Sequence, residues 1–383
     1  MTEVNEPFVV SDHQLTDALE KIRGIRESSS ALAFLIGAGC SKCAGLPLTN
    51  ELTDEVLVDE KIDFSSKEIL LTVREEFAIG KGANIEDYLS EIVDMLAITE
   101  RRAERGVEES TVVAGNASYT ADQLRNAIVQ IKQAIARAID KKVSIDTHRK
   151  FVTSVHQPLR VGRQGISQPV DYLVLNYDTI IEDSLAAARI HYTDGLRGGA
   201  TAWWDTEAFN AEDVSARVFK LHGSINWYRF PGDPSPRRIG TSIKLENQAN
   251  MPLLIWPSST KYQEAQLDPF AHLLDRARRA LRPSSGSQRL LVICGYSFGD
   301  KHINFEIDRA LRESNRNLTI AAFTHEDEPL GLLQDWRNDI QVRDQVLVFS
   351  NRGFFHGDKV QNSEKDLPWW KFEILTSILN GEV

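Results

Sequence analysis

Four short polar or glycine-rich segments each close an apolar run of strand length. They are Gly37-Ala38-Gly39-Cys40-Ser41, Leu175-Asn176-Tyr177-Asp178, Leu221-His222-Gly223-Ser224 and Gly295-Tyr296-Ser297-Phe298-Gly299-Asp300. Short continuous apolar runs bounded by glycine or turn residues read as strands buried on both faces, the pattern of a parallel sheet. In an open α/β sheet, ligands bind outside the carboxyl ends of the strands. Four such turns at predicted strand ends therefore point to one shared site.

The rest of the chain fits that reading. Strands are predicted at 31–36, 170–175, 217–221, 253–256, 290–294, 318–323 and 345–349. Helices are predicted at 179–188, 268–281, 304–313, 326–336 and 364–379. This alternation specifies a mostly parallel sheet with helices on both faces. Before the first strand, Ser11 can cap a helix carrying Leu15, Leu19, Ile22 and Ile25. Between the first two strands lies a long helical stretch. One helix starts at Thr49 or Asn50, and a second runs from 84 to 99. A third follows a capping-box pattern at Thr120 and Gln123, and a fourth covers 145–156. The charged, Gly- and Ser-containing segment 101–119 reads as an exposed loop. A parallel crossover needs one helix, so the surplus reads as an insertion. The expected architecture is a doubly wound, mostly parallel Rossmann-like α/β sheet with an inserted helical subdomain. Residues 1–48 begin the sheet domain, 49–156 form the insertion, and 157–383 complete the sheet. Residues 195–202 and 231–242 read as Gly/Pro-rich loops beside the site.

Charge and cysteine content narrow the function. The net charge is −11, from 44 Lys and Arg against 55 Asp and Glu. Nucleic-acid binding needs clustered positive charge, so direct contact with DNA or RNA is disfavoured. Arg276, Arg278, Arg279 and Arg282 do cluster, and a solvated helix face is the favoured reading. The apolar runs are too short to span a membrane, and the N-terminus lacks the features of a secretory signal. Three cysteines, Cys40, Cys43 and Cys294, make no disulfide framework and suit a reducing, cytoplasmic compartment. They cannot supply four thiolates, so no structural zinc and no other metal is expected.

Each motif offers specific chemistry. Gly37, Ala38 and Gly39 let the backbone approach a phosphate closely, with Ser41 adding a hydroxyl; a tight strand-to-helix turn with no ligand is the alternative. Asn176 and Asp178 can hold ribose hydroxyls or a water, although Asp178 could instead cap the next helix. His222, beside Gly223, is placed for proton transfer near neutrality. Gly295, Ser297 and Gly299 repeat the glycine-turn logic. Asp300 can cap the following helix, and His302 reads as a surface or outer residue.

Taken in order, these segments resemble the sirtuin superfamily of NAD-consuming enzymes. Gly37–Ser41 with Ala44-Gly45-Leu46-Pro47 resembles the sirtuin cofactor turn, and Leu221-His222-Gly223 the catalytic His-Gly. The segment from Leu175 to Asp183 resembles the one holding the sirtuin Asn and Asp. The resemblance implies Asn176 and His222 as catalytic. It implies Gly37, Ala38, Gly39, Ser41, Asp178, Gly295, Ser297 and Gly299 as cofactor-binding, with NAD as substrate. Protein-deacylating sirtuins carry a four-cysteine zinc ribbon after the catalytic His, and here only Cys294 follows His222. That departure and the helical insertion instead resemble bacterial sirtuin-like effectors of anti-phage defence, which hydrolyse NAD to ADP-ribose and nicotinamide. The resemblance further implies a large homo-oligomer, with a dodecamer among its forms, and a HerA-type hexameric ATPase as partner. An Argonaute-like partner, or none, is the alternative. An NAD or ADP-ribose sensor without turnover and an NAD-dependent deacylase are the competing functions.

Overall fold

The computed structural model describes residues 15–25, 30–77, 82–107, 110–157, 168–230, 233–239, 252–254, 269–283 and 287–382. Its centre is a nine-stranded sheet. From one edge to the other the strands are Lys359–Asn362, Gly353–His356, Val346–Ser350, Leu318–Phe323, Arg289–Cys294, Ala31–Ile36, Val170–Val174, Ala216–Lys220 and Tyr192–Thr193. The seven from Val346–Ser350 onward are parallel, and the first two form an antiparallel edge. The chain starts in the middle at Ala31–Ile36, builds outward through Val170–Val174, then returns to the other side at Arg289–Cys294. The direction of winding reverses between Ala31–Ile36 and Arg289–Cys294, and open α/β sheets bind ligands at the carboxyl ends of such a reversal.

Both faces of the sheet are covered. On one side, helices Thr16–Gly24, Asp146–His156, Ile180–Ala187 and Phe372–Leu379 bury a core around Phe34, Phe151, Tyr172 and Phe372. On the other, helices Phe270–Leu281, Lys301–Glu313 and Leu332–Asn338 cover Leu35, Phe219 and Ile293. A third core, including Ile69, Leu89, Ile92, Leu124, Ile131 and Ile135, belongs to helices Thr49–Val58, Phe64–Glu76, Ile85–Glu104 and Ala121–Ile139. The Thr120–Gln123 capping box forms as expected. Of the helices in the expected insertion, the last, Asp146–His156, packs on the sheet through Phe151, Val152 and Val155 and makes the crossover itself.

Several elements differ from expectation. The segment 101–119 is not a loop. The preceding helix continues to Glu104, and Thr111–Ala114 pairs with Ala117–Thr120 as a hairpin around Gly115 and Asn116. A second, five-stranded antiparallel sheet holds Pro252–Leu254, Gly223–Phe230, Asp233–Arg238, Ala202–Trp204 and Leu196–Gly198. The strand expected at 253–256 lies there and not in the central sheet, and much of the two expected loops is strand. The helix expected at 326–336 shortens to Leu332–Asn338, and that at 364–379 to Phe372–Leu379. Ser11 lies outside the described residues, as do 255–256 and 268. Among the described residues no helix is long and apolar enough to cross a membrane.

Candidate active site

Register brings the four motifs together. Cys294, Ile36, Val174 and Lys220 form one row across four adjacent parallel strands. The next residue on each strand is Gly295, Gly37, Leu175 or Leu221, the first residue of each motif. Asn176 and His222 each lie two residues beyond the register pair Val174 and Lys220, on strands about 4.8 Å apart. They stand at one level above the sheet's carboxyl edge. Tyr177 joins their segments: its carbonyl accepts from Ile225 N–H at 2.9 Å and from the Ser224 hydroxyl at 3.3 Å. Its ring lies 6.4 Å from that of His222.

The two glycine turns pack directly on each other. Gly37 N–H donates to the Cys294 carbonyl at 3.0 Å and Gly39 N–H to the Gly295 carbonyl at 2.9 Å. A Cβ on Gly37 would sit 2.3 Å from the Gly295 oxygen, and one on Gly39 2.8 Å from Gly295 Cα. Gly295 has φ +64°, and a Cβ there would meet Cys40 N at 2.3 Å. Close approach of backbone to backbone therefore accounts for these glycines. The N–H groups of Gly37, Gly39 and Cys40 are engaged inside the fold and are not aimed at an anion. Ala38, at the start of the 3-10 helix Ala38–Ala44, is exposed, as are Ser297 and Gly299 on the facing turn. Phe298 has φ +58°, a costly conformation for a bulky residue. Asn304 supports it by donating to its carbonyl at 2.7 Å.

Ser41 links Asn176 to Asp178. The Asn176 amide donates to the Ser41 hydroxyl at 2.8 Å and to the Gly37 carbonyl at 3.1 Å. The Ser41 hydroxyl donates to Asp178 Oδ2 at 2.7 Å. Asp178 Oδ1 accepts from Ile180 N–H at 3.0 Å, but the N-cap position of this helix is Thr179 and not Asp178. Asn176 is buried, and its Oδ1 has no hydrogen-bond partner among the described residues. An unpartnered buried acceptor is costly, and it is the polar atom best suited to receive a ligand hydroxyl or a water.

His222 is buried, and its Nε2 lies 3.1 Å from Asp300 Oδ2. The other carboxylate oxygen of Asp300 lies 2.5 Å from His302 Nδ1. Asp300 occupies the N-cap position of helix Lys301–Glu313, yet makes no side-chain capping bond. Its carboxylate points to the two histidines instead, which corrects the capping expectation. The convergence of His222 and His302 on Asp300 was not legible in the sequence, because His222 and Asp300 follow strands distant in the chain. Beneath the site, Lys220 is 0% exposed. Its ammonium reaches the Asp178 carbonyl and lies 3.5 Å from Glu182. Burial raises the Glu182 carboxyl to about 7, against the opposing pull of Lys220. The Tyr177 hydroxyl donates to Glu86 at 3.3 Å, so the inserted helices touch the site.

The remaining charged and sulfur groups stand apart from the chemistry. Arg278, Arg279 and Arg282 pair with Glu306, Asp275 and Glu313, and Arg276 bonds Asn210. The arginine cluster is thus matched to partners within the molecule. Burial raises the Cys40 thiol well above its ordinary range and Cys43 to about 11.

No curated protein matches the chain. A SIR2-like domain model matches residues 171–343. That stretch carries the Asn176, His222 and Gly295–Asp300 motifs and leaves out the Gly37 turn and the inserted helices. Over these residues the chain is similar to a SIR2-like domain, a similarity that supports the sirtuin-like reading.

Proposed function

We propose that the protein is an NAD glycohydrolase that cleaves NAD to ADP-ribose and nicotinamide. The observation that carries the reading is the convergence of Asn176 Oδ1, which lacks a partner, with a His222–Asp300 pair on one carboxyl edge. In NAD the nicotinamide nitrogen is already cationic. The bond from ribose C1′ to that nitrogen breaks, and its electron pair leaves with neutral nicotinamide. C1′ takes on oxocarbenium character. Asn176 Oδ1 accepts a hydrogen bond from a ribose hydroxyl or from the attacking water. The hydrogen bond to Asp300 sets the tautomer of His222 with its proton on Nε2, which leaves Nδ1 as the basic nitrogen. As the water oxygen bonds to C1′, its proton passes to His222 Nδ1. No step needs a metal.

A sensor that binds NAD without turnover has little use for an oriented histidine base. A protein deacylase of the zinc-ribbon kind lacks its cysteines here. Incubating the purified protein with NAD distinguishes the readings. Stoichiometric nicotinamide and ADP-ribose support hydrolysis. Binding heat without product supports the sensor.

The reading extends to a cytoplasmic effector of antiviral defence, acting as a large homo-oligomer with a HerA-type ATPase. The inserted unit supports assembly through its exposed Val58, Phe64 and Val113, of which Phe64 is 85% exposed. Light scattering with and without the ATPase tests this. A monomer mass unchanged by the ATPase contradicts it.

A further inference from the structure

We propose that His222, Asp300 and His302 form a site for a borderline divalent cation of the Zn²⁺ class, and that loading it switches off the base. The argument begins with the donor set. Two imidazoles and one carboxylate place their ligand atoms within 4.8 Å of one another. His222 and Asp300 are at most 10% exposed at the side chain, and His302 is 31% exposed. The cluster is thus walled on one side and reachable on the other. Three protein ligands with an open position are the arrangement of catalytic rather than structural sites for such ions. The expectation of no metal weighed cysteines, and this cluster contains none.

The consequence follows from the tautomers. With no ion, His222 Nε2 and His302 Nδ1 each face a carboxylate oxygen of Asp300. An imidazole binds a cation through an unprotonated nitrogen. An ion held by His222 Nε2 therefore moves the ring proton to Nδ1. No proton is gained or lost by the neutral ring. Nδ1 then carries the ring proton and has no lone pair left to take one from water. The same shift moves the His302 proton to Nε2. Metal binding and proton acceptance by His222 thus exclude each other, and NAD turnover becomes sensitive to free zinc.

The inhibition rests on the proposed hydrolysis; the binding does not. Co²⁺ is therefore the first probe, followed in the full-length protein by visible absorption and equilibrium dialysis. One Co²⁺ per chain, with an imidazole–carboxylate spectrum and no thiolate charge-transfer band, is expected. His302→Ala and the gentler His302→Gln should each weaken Co²⁺ binding by at least about 10-fold, the lower range for lost metal-site contacts. Zn²⁺ should compete with Co²⁺, and should inhibit NAD hydrolysis reversibly on chelation. Each variant is compared with its own metal-free rate, and both should need at least about 10-fold more Zn²⁺ for half inhibition. Unchanged Co²⁺ affinity in both folded variants, or a thiolate spectrum, overturns the site. Tight Co²⁺ binding with no effect of Zn²⁺ on a measurable rate overturns the switch. A metal-free wild type that releases no nicotinamide overturns the hydrolase reading, while the Co²⁺ data still decide the site.

Discussion

Replacing Gly295 by alanine tests whether the two glycine turns form one packed unit. The added Cβ would lie 2.3 Å from Cys40 N, 2.7 Å from Cys40 Sγ and 2.9 Å from Gly37 O. Two of those atoms are backbone, so no side-chain rotation relieves the contacts. At φ +64° alanine also sits in the left-handed region. The left-handed conformation costs about 1–2 kcal/mol and forced overpacking about 1–3, so a loss of about 2–5 kcal/mol is expected. Gly299, in the same motif, is the internal control. Its Cβ would meet only Ser297 Oγ, at 3.4 Å. Gly299→Ala should cost less than about 1 kcal/mol. Urea unfolding followed by tryptophan fluorescence reads both, with the slope of the transition checked for constancy. If Gly295→Ala stays within about 0.5 kcal/mol of the wild type, the turns are not packed as described and this account of their glycines fails.

Other predictions follow from the same geometry. Asp300→Asn keeps the shape of the contact but loses the carboxylate that orients His222. NAD hydrolysis should fall by about 10²-fold or more with little change in the unfolding midpoint; an unaltered rate would remove Asp300 from the mechanism. Burial lowers His148 and His156 from 6.5 to about 4. The unfolded chain therefore binds protons at these sites first as pH falls. Stability is fully present above 6.5, declines between 6.5 and 4, and levels off below. Each histidine contributes up to about 3 kcal/mol of that decline. His148→Leu should flatten the pH dependence of unfolding over this window, and an unchanged slope would contradict the assignment. Arg278→Glu with Arg282→Glu should leave nucleic-acid binding at background in a filter assay, because both arginines already face carboxylates. Loss of a measurable affinity in that variant would reveal a contact the net charge argues against.

The sheet was legible because its strands are short, apolar and closed by glycine or polar turns. The strands expected at 31–36, 170–175 and 290–294 are found at Ala31–Ile36, Val170–Val174 and Arg289–Cys294. The second sheet was not legible. Its strands Leu196–Gly198 and Ala202–Trp204 have three residues each, and Asp233–Arg238 contains two prolines and two arginines. Leu196–Gly198 and Ala202–Trp204 pair with each other and join the rest of the sheet through Asp233–Arg238, far along the chain, and local composition reads as loop. The hairpin at Gly115-Asn116 is a different case. A Gly-Asn pair between two short strand-like runs is a hairpin signal, and the surrounding charge obscured it. At the site, register explains why Asn176 and His222 meet. The Asp300 contact with both histidines joins residues 78 and 2 positions apart in sequence. Helix-start chemistry alone pointed the aspartate elsewhere.

The most direct test of the central claim is the rate of nicotinamide release from NAD by the wild type, Asn176→Ala and His222→Ala, each shown to be folded by circular dichroism. The rate should fall by at least about 100-fold in both variants, the lower range for loss of a positioned acid–base group. Near-wild-type release from both folded variants would contradict the assignment of this carboxyl edge as the site of NAD cleavage.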